Sequence, residues 1–485
     1  MNNYTPGRNC KSVFDKVDAI SVKKWSFVLL VATILTTIGV GSASAQLSGT
    51  KTIGVDYATF NAAILDLNAQ GVGAGGVIIN VPAGYTETAP TGGFSVTATG
   101  TAANPIVFQK SGVGASPVFF APIGGTATAA STTAMDGIIR FVGSDWVTID
   151  GLSFQENGLN SGNALMEYGM GFYKASGTNG CNNNTIKNCA ITLSSNNVST
   201  SGSVTSVQEA AQGSCGILFA NTKYTAPLTA LIVTNLTGTN SNNKIYSNAI
   251  QFCNTGIHIK GYADTSFPFS YYDQSNDIGG NSTATANLIT HLGGGFPNSG
   301  AIPSFGIITA NNNALNVSNN TVSSSGNPNL ANIEGIWNSS NNAALFTCNN
   351  NTVSIRKGTI TSASQGSNAA IDISGTGSIA ANSIVNITNN TITNCIVDSG
   401  TNAGANDGSF GIKMASPVNA VTFNVTGNII SADTIYNCGT FTAISYAGAN
   451  LNANVNITGN QIFNIRKANG NQLATGGNNL IAITA

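Results

Sequence analysis

A pair of asparagines followed by a strand-like dipeptide recurs through most of the chain and constrains the fold more than any other feature. The phrase reads Asn-Asn-Thr-Ile at residues 183–186 and Asn-Asn-Thr-Val at residues 350–353. Counted at its second position, it returns with small changes at Asn184, Asn243, Asn287, Asn320, Asn351, Asn390, Asn428 and Asn460. These anchors are 59, 44, 33, 31, 39, 38 and 32 residues apart, so the chain is built from irregular repeats.

Each repeat also contains very short stretches of alternating apolar residues that begin after a small residue. Gly256–Ile259 and Gly411–Met414 are examples. Alternation with period two, broken by Asn and Gly, predicts short β-strands, and no 3.6-residue apolar period supports a helical repeat. The shortest units cannot hold the four strands of a propeller blade. We therefore predict an all-β, single-stranded parallel β-helix, in which Asn residues take left-handed turns and stack in ladders.

One amphipathic helix is predicted ahead of the repeats. Phe60, Ala63, Ile64 and Leu67 follow the i, i+3, i+4, i+7 spacing of one helix face. Such a helix would cover the open end of a β column, whose unpaired edge otherwise invites aggregation. We expect residues 46–90 to form this N-terminal cap, with the first strand, and residues 91–485 to form the repeats.

The first 45 residues have the pattern of a secretory signal peptide with a long n-region. Lys23 and Lys24 precede an apolar run, and Ala43-Ser44-Ala45 is a small-x-small cleavage pattern that would leave Gln46 as the new N-terminus. The apolar run is shorter than the roughly 20 residues of a membrane span. We expect a secreted or cell-surface protein with no membrane span after cleavage.

Charged residues are scarce. The chain has 18 Lys+Arg and 19 Asp+Glu, and 8% of its 485 residues are charged, against about a quarter in typical soluble domains. Removal of the leader takes five basic and two acidic residues, which leaves 13 − 17 = −4. This balance offers no electrostatic footprint for nucleic acid or an anionic membrane. We expect a monomer whose partner, if any, is a polysaccharide or a cell-surface glycan.

The features that carry a family resemblance are the helix, the segment 76–88 (GVIINVPAGYTET), the segment 146–154 (WVTIDGLSF) and the Asn repeats. In these features the chain resembles the right-handed parallel β-helix proteins of the pectin-lyase-like superfamily. It is similar, more narrowly, to Asn-rich secreted surface proteins of Gram-negative bacteria. The resemblance implies a right-handed coil. Those relatives often end in a sorting domain, whereas this chain ends in strand-like sequence, so we expect a truncated C-terminus or an uncommon cap.

The enzymes of that superfamily imply requirements that the sequence does not meet. They would need Ca²⁺-binding carboxylates with a Lys or Arg base, or an Asp trio with His-Gly and Arg-x-Lys phrases. The sequence has no Asp-Asp pair, no His-Gly and no Arg-x-Lys. The family's catalytic residues therefore cannot be transferred to this chain.

The best local candidate for a site is the aromatic loop, residues 261–277, which follows Lys260. It gathers carboxylates and aromatic rings that could hold a sugar, Ca²⁺ or a catalytic centre with Lys260 as base. The carboxylates are Asp264, Asp273 and Asp277, and the rings are Tyr262, Phe267, Phe269, Tyr271 and Tyr272. The alternative is a loop that packs its own rings against the flank of the coil.

A second, smaller group of the same kind occurs earlier in the chain. It comprises residues 166–168 (Met-Glu-Tyr) and 172–174 (Phe-Tyr-Lys), which could lie beside the first group or simply be packed loop. His258 alternates with Ile257 and Ile259, so we predict an outward, ordinary surface histidine. No other cofactor is indicated.

Seven cysteines follow the leader, at residues 181, 189, 215, 253, 348, 395 and 438, and an odd number leaves at least one free. Relative to the anchors, three pairs share a register: 181 with 348, 189 with 395, and 253 with 438. Members of each pair are several coils apart and cannot bridge. We predict small buried apolar side chains, with cross-register bridges such as Cys189 to Cys253 left open.

Two functional hypotheses follow. The first is a non-catalytic surface or secreted β-helix protein that acts in adhesion or glycan binding through its flank loops, either whole or as part of a larger adhesin. The alternative is a lyase or glycoside hydrolase of acidic polysaccharides that uses Asp264, Asp273 and Asp277. Convergence of these carboxylates beside Lys260 would favour the enzyme.

Overall fold

The computed structural model describes most of the chain after the leader. The described residues are 46–125, 134–197, 213–225, 229–265, 268–293, 303–324, 333–338, 345–357, 368–374, 383–398, 408–415, 421–436, 440–448, 453–467 and 479–484. The predicted signal peptide, Phe267 and Cys438 lie outside these ranges.

Three long sheets, all parallel, run along the described chain, and each coil contributes one strand to sheet 1, then sheet 2, then sheet 3. This is the right-handed parallel β-helix that the repeats and the resemblance predicted. Sheet 1 has 12 strands: Leu47–Thr52, Val72–Pro82, Ile106–Ser111, Val147–Asp150, Thr185–Lys187, Lys244–Tyr246, Asp277–Ile278, Leu315–Ser318, Leu345–Asn349, Ile384–Thr388, Thr422–Thr426 and Asn454–Thr458.

Sheets 2 and 3 have 11 strands each. The strands of sheet 2 are Thr86–Thr88, Val118–Phe120, Ser153–Gln155, Ala190–Thr192, Ala249–Gln251, Leu288–Leu292, Thr321–Ser324, Thr352–Ser354, Thr391–Thr393, Ile429–Ser431 and Gln461–Phe463. Those of sheet 3 are Phe94–Val96, Gly137–Val142, Tyr168–Tyr173, Cys215–Ala220, Thr255–Lys260, Ser304–Ala310, Ile333–Asn338, Asn368–Ile373, Gly408–Met414, Thr440–Tyr446 and Asn479–Thr484.

Short elements occupy some of the corners between sheets. Asp273–Gln274 pairs with Asn312–Asn313, and a corner sheet between sheets 2 and 3 comprises Arg356–Lys357, Ile396–Asp398, Thr434–Tyr436 and Arg466–Lys467. Within the described ranges, the single-turn 3₁₀ helices are Gly162–Ala164, Leu236–Gly238 and Thr283–Thr285. We call the corner between sheets 1 and 2 the first corner, that between sheets 2 and 3 the second, and that between sheets 3 and 1 the third.

The interior is one apolar column. In sheet 3, Ile257, Ile307, Ile336, Ile371 and Ile412 are register partners on consecutive strands, and all are buried in the same core. The alternating strands put these residues inside because successive side chains point to opposite faces. The column is what joins one coil to the next.

The predicted helix is present at Phe60–Gln70, and the four residues of its predicted apolar face are buried. Thr59 accepts a hydrogen bond from Ala62 N through its side chain, and Glu87 accepts from Phe60 N at 2.7 Å. These acceptors satisfy N–H groups that a helix start leaves free. The Phe60 ring lies 4.4 Å from that of Phe119, so the helix plugs the column. No helix in the described ranges is long and apolar enough to cross a membrane.

Two asparagine ladders, and not the single series predicted, run along the corners. The first-corner ladder comprises Asn248, Asn287, Asn320, Asn351, Asn390, Asn428 and Asn460. The third-corner ladder comprises Asn184, Asn243, Asn276 and Asn312. The prediction of a single series was wrong because asparagine precedes a strand with a β-branched residue at both corners. The 44-residue interval from Asn243 to Asn287 runs from the third-corner ladder to the first-corner ladder.

Left-handed residues precede the ladder positions, as the Asn-rich turns predicted. Asn319, Asn350 and Asn389 have φ of 61°, 55° and 54°. In most rungs the ladder amide accepts a backbone N–H from the preceding coil and donates to a buried carbonyl, whereas Asn320 and Asn312 accept from the side-chain amide of the preceding rung. Asn351 Oδ1 accepts from Asn320 N at 2.9 Å, and Asn351 Nδ2 donates to Val317 O at 2.8 Å.

The small residue before each sheet 3 repeat has a packing cause. A Cβ at Gly306 would lie 2.3 Å from Val322 Cγ1, and one at Gly256 would lie 2.7 Å from Ile289 Cγ2. At Gly256 and Gly306 the side chain of sheet 2 already occupies this place, so a Cβ would clash there. Alanine stands at the equivalent position 370.

Six described cysteines are buried, as predicted, and all six are free, so the Cys189–Cys253 bridge that the sequence left open is not formed: Cys181, Cys189, Cys215, Cys253, Cys348 and Cys395. Burial raises the pKa of the Cys189 and Cys253 thiols to about 12, which makes them poor nucleophiles. The predicted register pairs 181 with 348 and 189 with 395 were wrong, because two ladders were counted as one, and the third pair includes Cys438, outside the described residues. Cys348 is in a sheet 1 strand, whereas Cys181 lies ahead of one.

Candidate functional site

The structure gives each carboxylate of the aromatic loop its own partners. Asp264 Oδ2 accepts from Tyr271 N at 3.0 Å, within the loop. Asp277, in sheet 1, accepts from Tyr246 Oη and from Asn316 Nδ2 at 2.7 Å. Asp273 accepts from Asn240 N at 2.7 Å. The described residues contain no group of three or more His, Cys, Asp or Glu side chains that could hold a metal ion.

Asp273 joins the two groups of residues that the sequence singled out. Its Oδ1 lies 3.7 Å from Lys174 Nζ, and both side chains are fully buried. Lys174 also donates to Gly238 O at 2.6 Å. Burial raises the pKa of Asp273, and the Lys174 ammonium opposes that rise. Lys260 is buried at the end of its sheet 3 strand.

The described rings of the aromatic loop differ in exposure. Phe269 and Tyr272 stack on each other with centroids 5.6 Å apart, and Tyr272 is fully buried. Tyr262 and Tyr271 are half-buried. Phe269 has φ of 59°, a strained value for an aromatic residue. The assignment of this loop to a glycan or Ca²⁺ stays a prediction.

His258 faces away from the column, as predicted, but it is buried and is not a surface residue. Its register partners on the neighbouring strands are Leu218 and Ile308, which surround it with apolar atoms. Burial, with a smaller contribution from the Lys260 ammonium, lowers the pKa of His258 to about 3. A neutral imidazole is the consequence at ordinary pH.

The outer face of sheet 3 carries a second row of side chains that sequence reasoning did not assemble. We call it the outer row. It consists of the register partners Leu218, His258, Ile308, Trp337, Asp372, Lys413 and Ser445. Consecutive members are about 4.8 Å apart along the coil axis, the spacing of paired strands. Polar and aromatic chemistry is concentrated at Trp337, Asp372 and Lys413.

Beside this row lie Phe305 and Glu334, which pair with each other one strand apart. We define the sheet 3 site as Phe305, Glu334, Trp337, Asp372 and Lys413. Phe305 and Trp337 stack with centroids 5.1 Å apart and planes 23° from parallel. Phe305 is buried and Trp337 is half-buried, so Trp337 is the accessible ring of the pair.

The two carboxyl groups of the sheet 3 site differ in their partners. Asp372 Oδ2 lies 3.0 Å from Lys413 Nζ, and Ser374 Oγ donates to Asp372 Oδ1. Burial raises the pKa of Asp372, while Lys413 and Ser374 oppose that rise. Burial raises the pKa of Glu334 well above its ordinary value, and the adjacent Asp372 carboxylate raises it further. Asp372, and not Glu334, is thus the carboxyl group that is paired with Lys413.

Two polar atoms of this site are buried without a hydrogen-bond partner among the described residues: Glu334 Oε2 and Trp337 Nε1. Both belong to one strand, Ile333–Asn338. Buried polar groups are almost always satisfied, so a pair of unsatisfied ones beside an accessible ring needs an explanation. Because both atoms are buried, a ligand would reach them only by displacing the side chains that cover them.

A sequence signal for this site existed in the small-residue phrase. Counted two positions after the small residue, the repeats give His258 after Gly256, Trp337 after Gly335, and Lys413 after Gly411. Counted one position before it, Glu334 precedes Gly335. Alignment of the repeats on this phrase, and not on Asn, brings the site together.

Several solved enzyme structures have low similarity to this chain. An alginate lyase from Paenibacillus sp. matches over 85% of this chain and 99% of its own, at 13% identity and a TM-score of 0.38. A lacto-N-biosidase from Eubacterium ramulus matches over 81% of this chain and 64% of its own, at 12% identity and a TM-score of 0.42. The mannuronan C-5 epimerase A-module from Azotobacter vinelandii matches over 88% of this chain and 98% of its own, at 12% identity and a TM-score of 0.30.

No protein-family model and no curated protein sequence matches the chain. The similarities to solved structures are too low to carry a functional argument, so the residues of the sheet 3 site must carry it.

Proposed function

We propose that this protein is an exported β-helix protein that binds a glycan on the outer face of sheet 3. Trp337 supplies the ring on which a sugar face stacks, and Glu334 supplies a hydrogen-bonding group beside it. The leader pattern supports export, and the low charge of the chain fits an uncharged, hydroxyl-rich partner.

One observation carries the proposal: an accessible, stacked Trp337 shares its strand with an unsatisfied indole N–H and an unsatisfied carboxyl oxygen. Sugars present apolar C–H faces and hydroxyl groups together, so they match a ring with polar atoms at its edge. The aromatic loop, with Asp264, Asp273 and Asp277, stays a second proposed contact surface, with Ca²⁺ as its proposed ion.

Glycoside hydrolysis is a second candidate function, and the coupling between Glu334 and Asp372 favours it. Glycosidases use one protonated carboxyl group as general acid and one ionised carboxylate as nucleophile or base. The pKa of Glu334 is raised, as that of a general acid would be, while Lys413 opposes the burial-driven rise in the pKa of Asp372 and so favours its ionised form. Adhesion without cleavage requires only the binding described above.

The test is retention of the purified protein on insoluble polysaccharides, with and without a chelator. Trp337→Ala should lose at least ten-fold in affinity, whereas Trp146→Ala should retain it, because Trp146 is exposed ahead of a sheet 1 strand. Equal retention of both variants would exclude the sheet 3 site. New reducing ends that appear with the wild type and vanish with Glu334→Gln would establish hydrolysis.

A further inference from the structure

The charges of the sheet 3 site cancel within the site. It holds two carboxyl groups and one ammonium group, and the Lys413 ammonium lies 3.0 Å from Asp372. Burial of Glu334 and the neighbouring Asp372 carboxylate both favour the protonated form of Glu334. The described side chains of the site therefore present no uncompensated positive charge to a ligand.

We propose that the sheet 3 site selects uncharged sugar residues and rejects uronates, an inference that rests on the proposed glycan-binding function. A uronate carboxylate placed beside Glu334 would be a third acidic group next to one cation that is already paired. Desolvation of an unpaired charge and repulsion between like charges both oppose this. Neutral hydroxyl groups pay neither penalty.

The experiment compares hexasaccharides of equal length by calorimetry: cellohexaose, xylohexaose and mannohexaose against hexagalacturonate and hexamannuronate. Trp337 fluorescence in a Trp146→Phe background gives a second readout, because the chain has only 3 Trp and one lies in the predicted leader. We expect at least one neutral hexasaccharide to bind ten-fold or more tightly than either uronate. Asp372→Asn, which leaves Lys413 without its carboxylate, should raise uronate affinity ten-fold or more.

The outcomes separate the two proposals. Uronate binding that equals neutral binding and is lost in Trp337→Ala would overturn the selectivity and keep the glycan site. Binding that Trp337→Ala leaves unchanged for every hexasaccharide would overturn the glycan site itself. Asp372→Asn without any gain in uronate affinity contradicts the charge argument.

An independent observation concerns the second corner, where one carboxylate occupies a ladder position. The equivalent residues of consecutive coils are Ile355, Cys395, Asp433 and Ile465, linked by backbone hydrogen bonds between coils. Asp433 Oδ1 accepts from Cys395 N at 2.7 Å, as a first-corner Asn accepts from the preceding coil. Asp433 Oδ2 is buried and has no hydrogen-bond partner among the described residues.

We propose that at acidic pH Asp433 is protonated in the folded protein and replaces a ladder asparagine, with its O–H in the position of an amide N–H. In the first-corner ladder that place is occupied by Nδ2, which donates to a carbonyl of the preceding coil, as in Asn428 Nδ2 to Ile387 O. A carboxylate cannot donate there, whereas a carboxylic acid can.

The surroundings of Asp433 contain no described cation that would keep it ionised. From the preceding coil it faces the Cys395 thiol, and from the following coil Arg466 donates its backbone N–H to Asp433 O at 2.8 Å, with its own side chain exposed. Lys357 lies two coils away. Burial raises the pKa of Asp433 to about 7, opposed by the hydrogen bonds with Cys395.

The sign of the pH effect follows. The pKa of Asp433 in the folded protein is above its unfolded value of about 3.9, so between these two values the folded state binds the extra proton. The resulting contribution to stability is full below about pH 4 and is lost between about pH 4 and pH 7. Asp433→Asn removes this loss. Relative to the variant, the wild-type folding constant should fall by up to about a thousandfold between pH 4 and pH 8.

Urea unfolding of the purified protein at pH 4, 6 and 8 measures this difference. Asn428→Asp, which puts the same carboxylate into the buried first-corner ladder of the same coil, should introduce a pH dependence of the same sign. Parallel pH curves for wild type and Asp433→Asn would overturn the proposal. So would an Asp433→Asn chain that cannot fold at any of the three pH values, because the amide would then fail to replace the acid.

Discussion

The first corner is closed in two different ways along one column. One position of this corner is Leu152 in one early coil and Cys189 in the next. From Asn248 onward the equivalent position of each described coil is asparagine. The interior changes with it. Phe119 and Phe154 stack 5.5 Å apart in the early column, whereas Ile289, Val322 and Val353 fill the matching positions later.

The difference shows that apolar volume and buried hydrogen bonds are alternative means of closing the same turn. A buried Phe side chain contributes about 1.5–3 kcal/mol through the area it removes from water. A ladder amide contributes about 0.5–1.5 kcal/mol for each hydrogen bond, and each rung makes two or three. The two solutions are thus comparable in size, but they should fail differently when they are mutated.

The largest effect is expected where both regions depend on the column itself. Ile412→Asp buries a carboxyl group in the core, which costs about 4–7 kcal/mol if its pKa must rise by 3–5 units. That is close to the whole stability of a typical protein, so we expect no folded product by circular dichroism. Ile384→Asp is the control, since Ile384 is 42% exposed and should tolerate the change. Cooperative thermal unfolding of Ile412→Asp at the wild-type temperature would show that Ile412 does not lie in the buried column.

The aromatic half is tested next. Phe119→Ala removes a ring that contacts Phe60, Phe94 and Phe154, and it should cost about 3–5 kcal/mol in urea unfolding because the cavity cannot fully collapse. Phe463→Ala, at a 46% exposed position of sheet 2, should change stability by less than about 0.5 kcal/mol. Similar losses at the two positions would mean that the early column does not depend on its rings.

Sequence alone could predict the column but not the partition between the two ladders. Left-handed Asn residues, alternating strands and the face of Phe60, Ala63, Ile64 and Leu67 are local signals, and local signals determine strands, turns and the helix. Asn243 and Asn248 carry the same signal five residues apart at two different corners. Only the pairing between coils tells them apart.

The sheet 3 site was missed for a related reason. Trp337 and Asp372 are 35 residues apart in sequence and become neighbours only through strand register. The aromatic loop was chosen instead because its residues are contiguous. His258 was expected at the surface because alternation predicts direction, whereas exposure depends on the neighbours Leu218 and Ile308.

The polar half should show a smaller loss. Asn351→Leu leaves Asn320 N–H and Val317 O buried without these partners. Each unsatisfied buried group costs about 1–3 kcal/mol, and because the buried leucine recovers part of the loss we expect a total of roughly 2–3 kcal/mol, near the lower end of the sum. Asn456→Leu is the matched control, because the Asn456 to Asn424 hydrogen bond is exposed to water. If the two substitutions cost the same in urea unfolding, the buried ladder contributes nothing special to the later coils.

The smallest effect is expected where one solution meets the other. Cys189 N already donates to Asn248 Oδ1 at 3.1 Å, so Cys189 is the last rung without an amide of its own. The Sγ of Cys189 lies 3.7 Å from Ile149 O. This carbonyl is equivalent to Ile186 O, which accepts a hydrogen bond from Asn248 Nδ2 one coil later. Ile149 is three residues before Leu152, just as Ile186 is three residues before Cys189.

Cys189→Asn should therefore extend the ladder by one coil, because the introduced side-chain amide can donate to Ile149 O. We expect the free energy of unfolding to rise by about 0.5–1 kcal/mol, the net value of one intramolecular hydrogen bond, in place of a weak thiol contact. Leu152→Asn, one coil earlier, should instead lose stability, because Leu152 is fully buried among apolar side chains. A loss at both positions would show that the aromatic coils and the ladder coils differ in backbone geometry, and that the change from Leu and Cys to Asn follows the shape of the corner and not a choice between equivalent solutions.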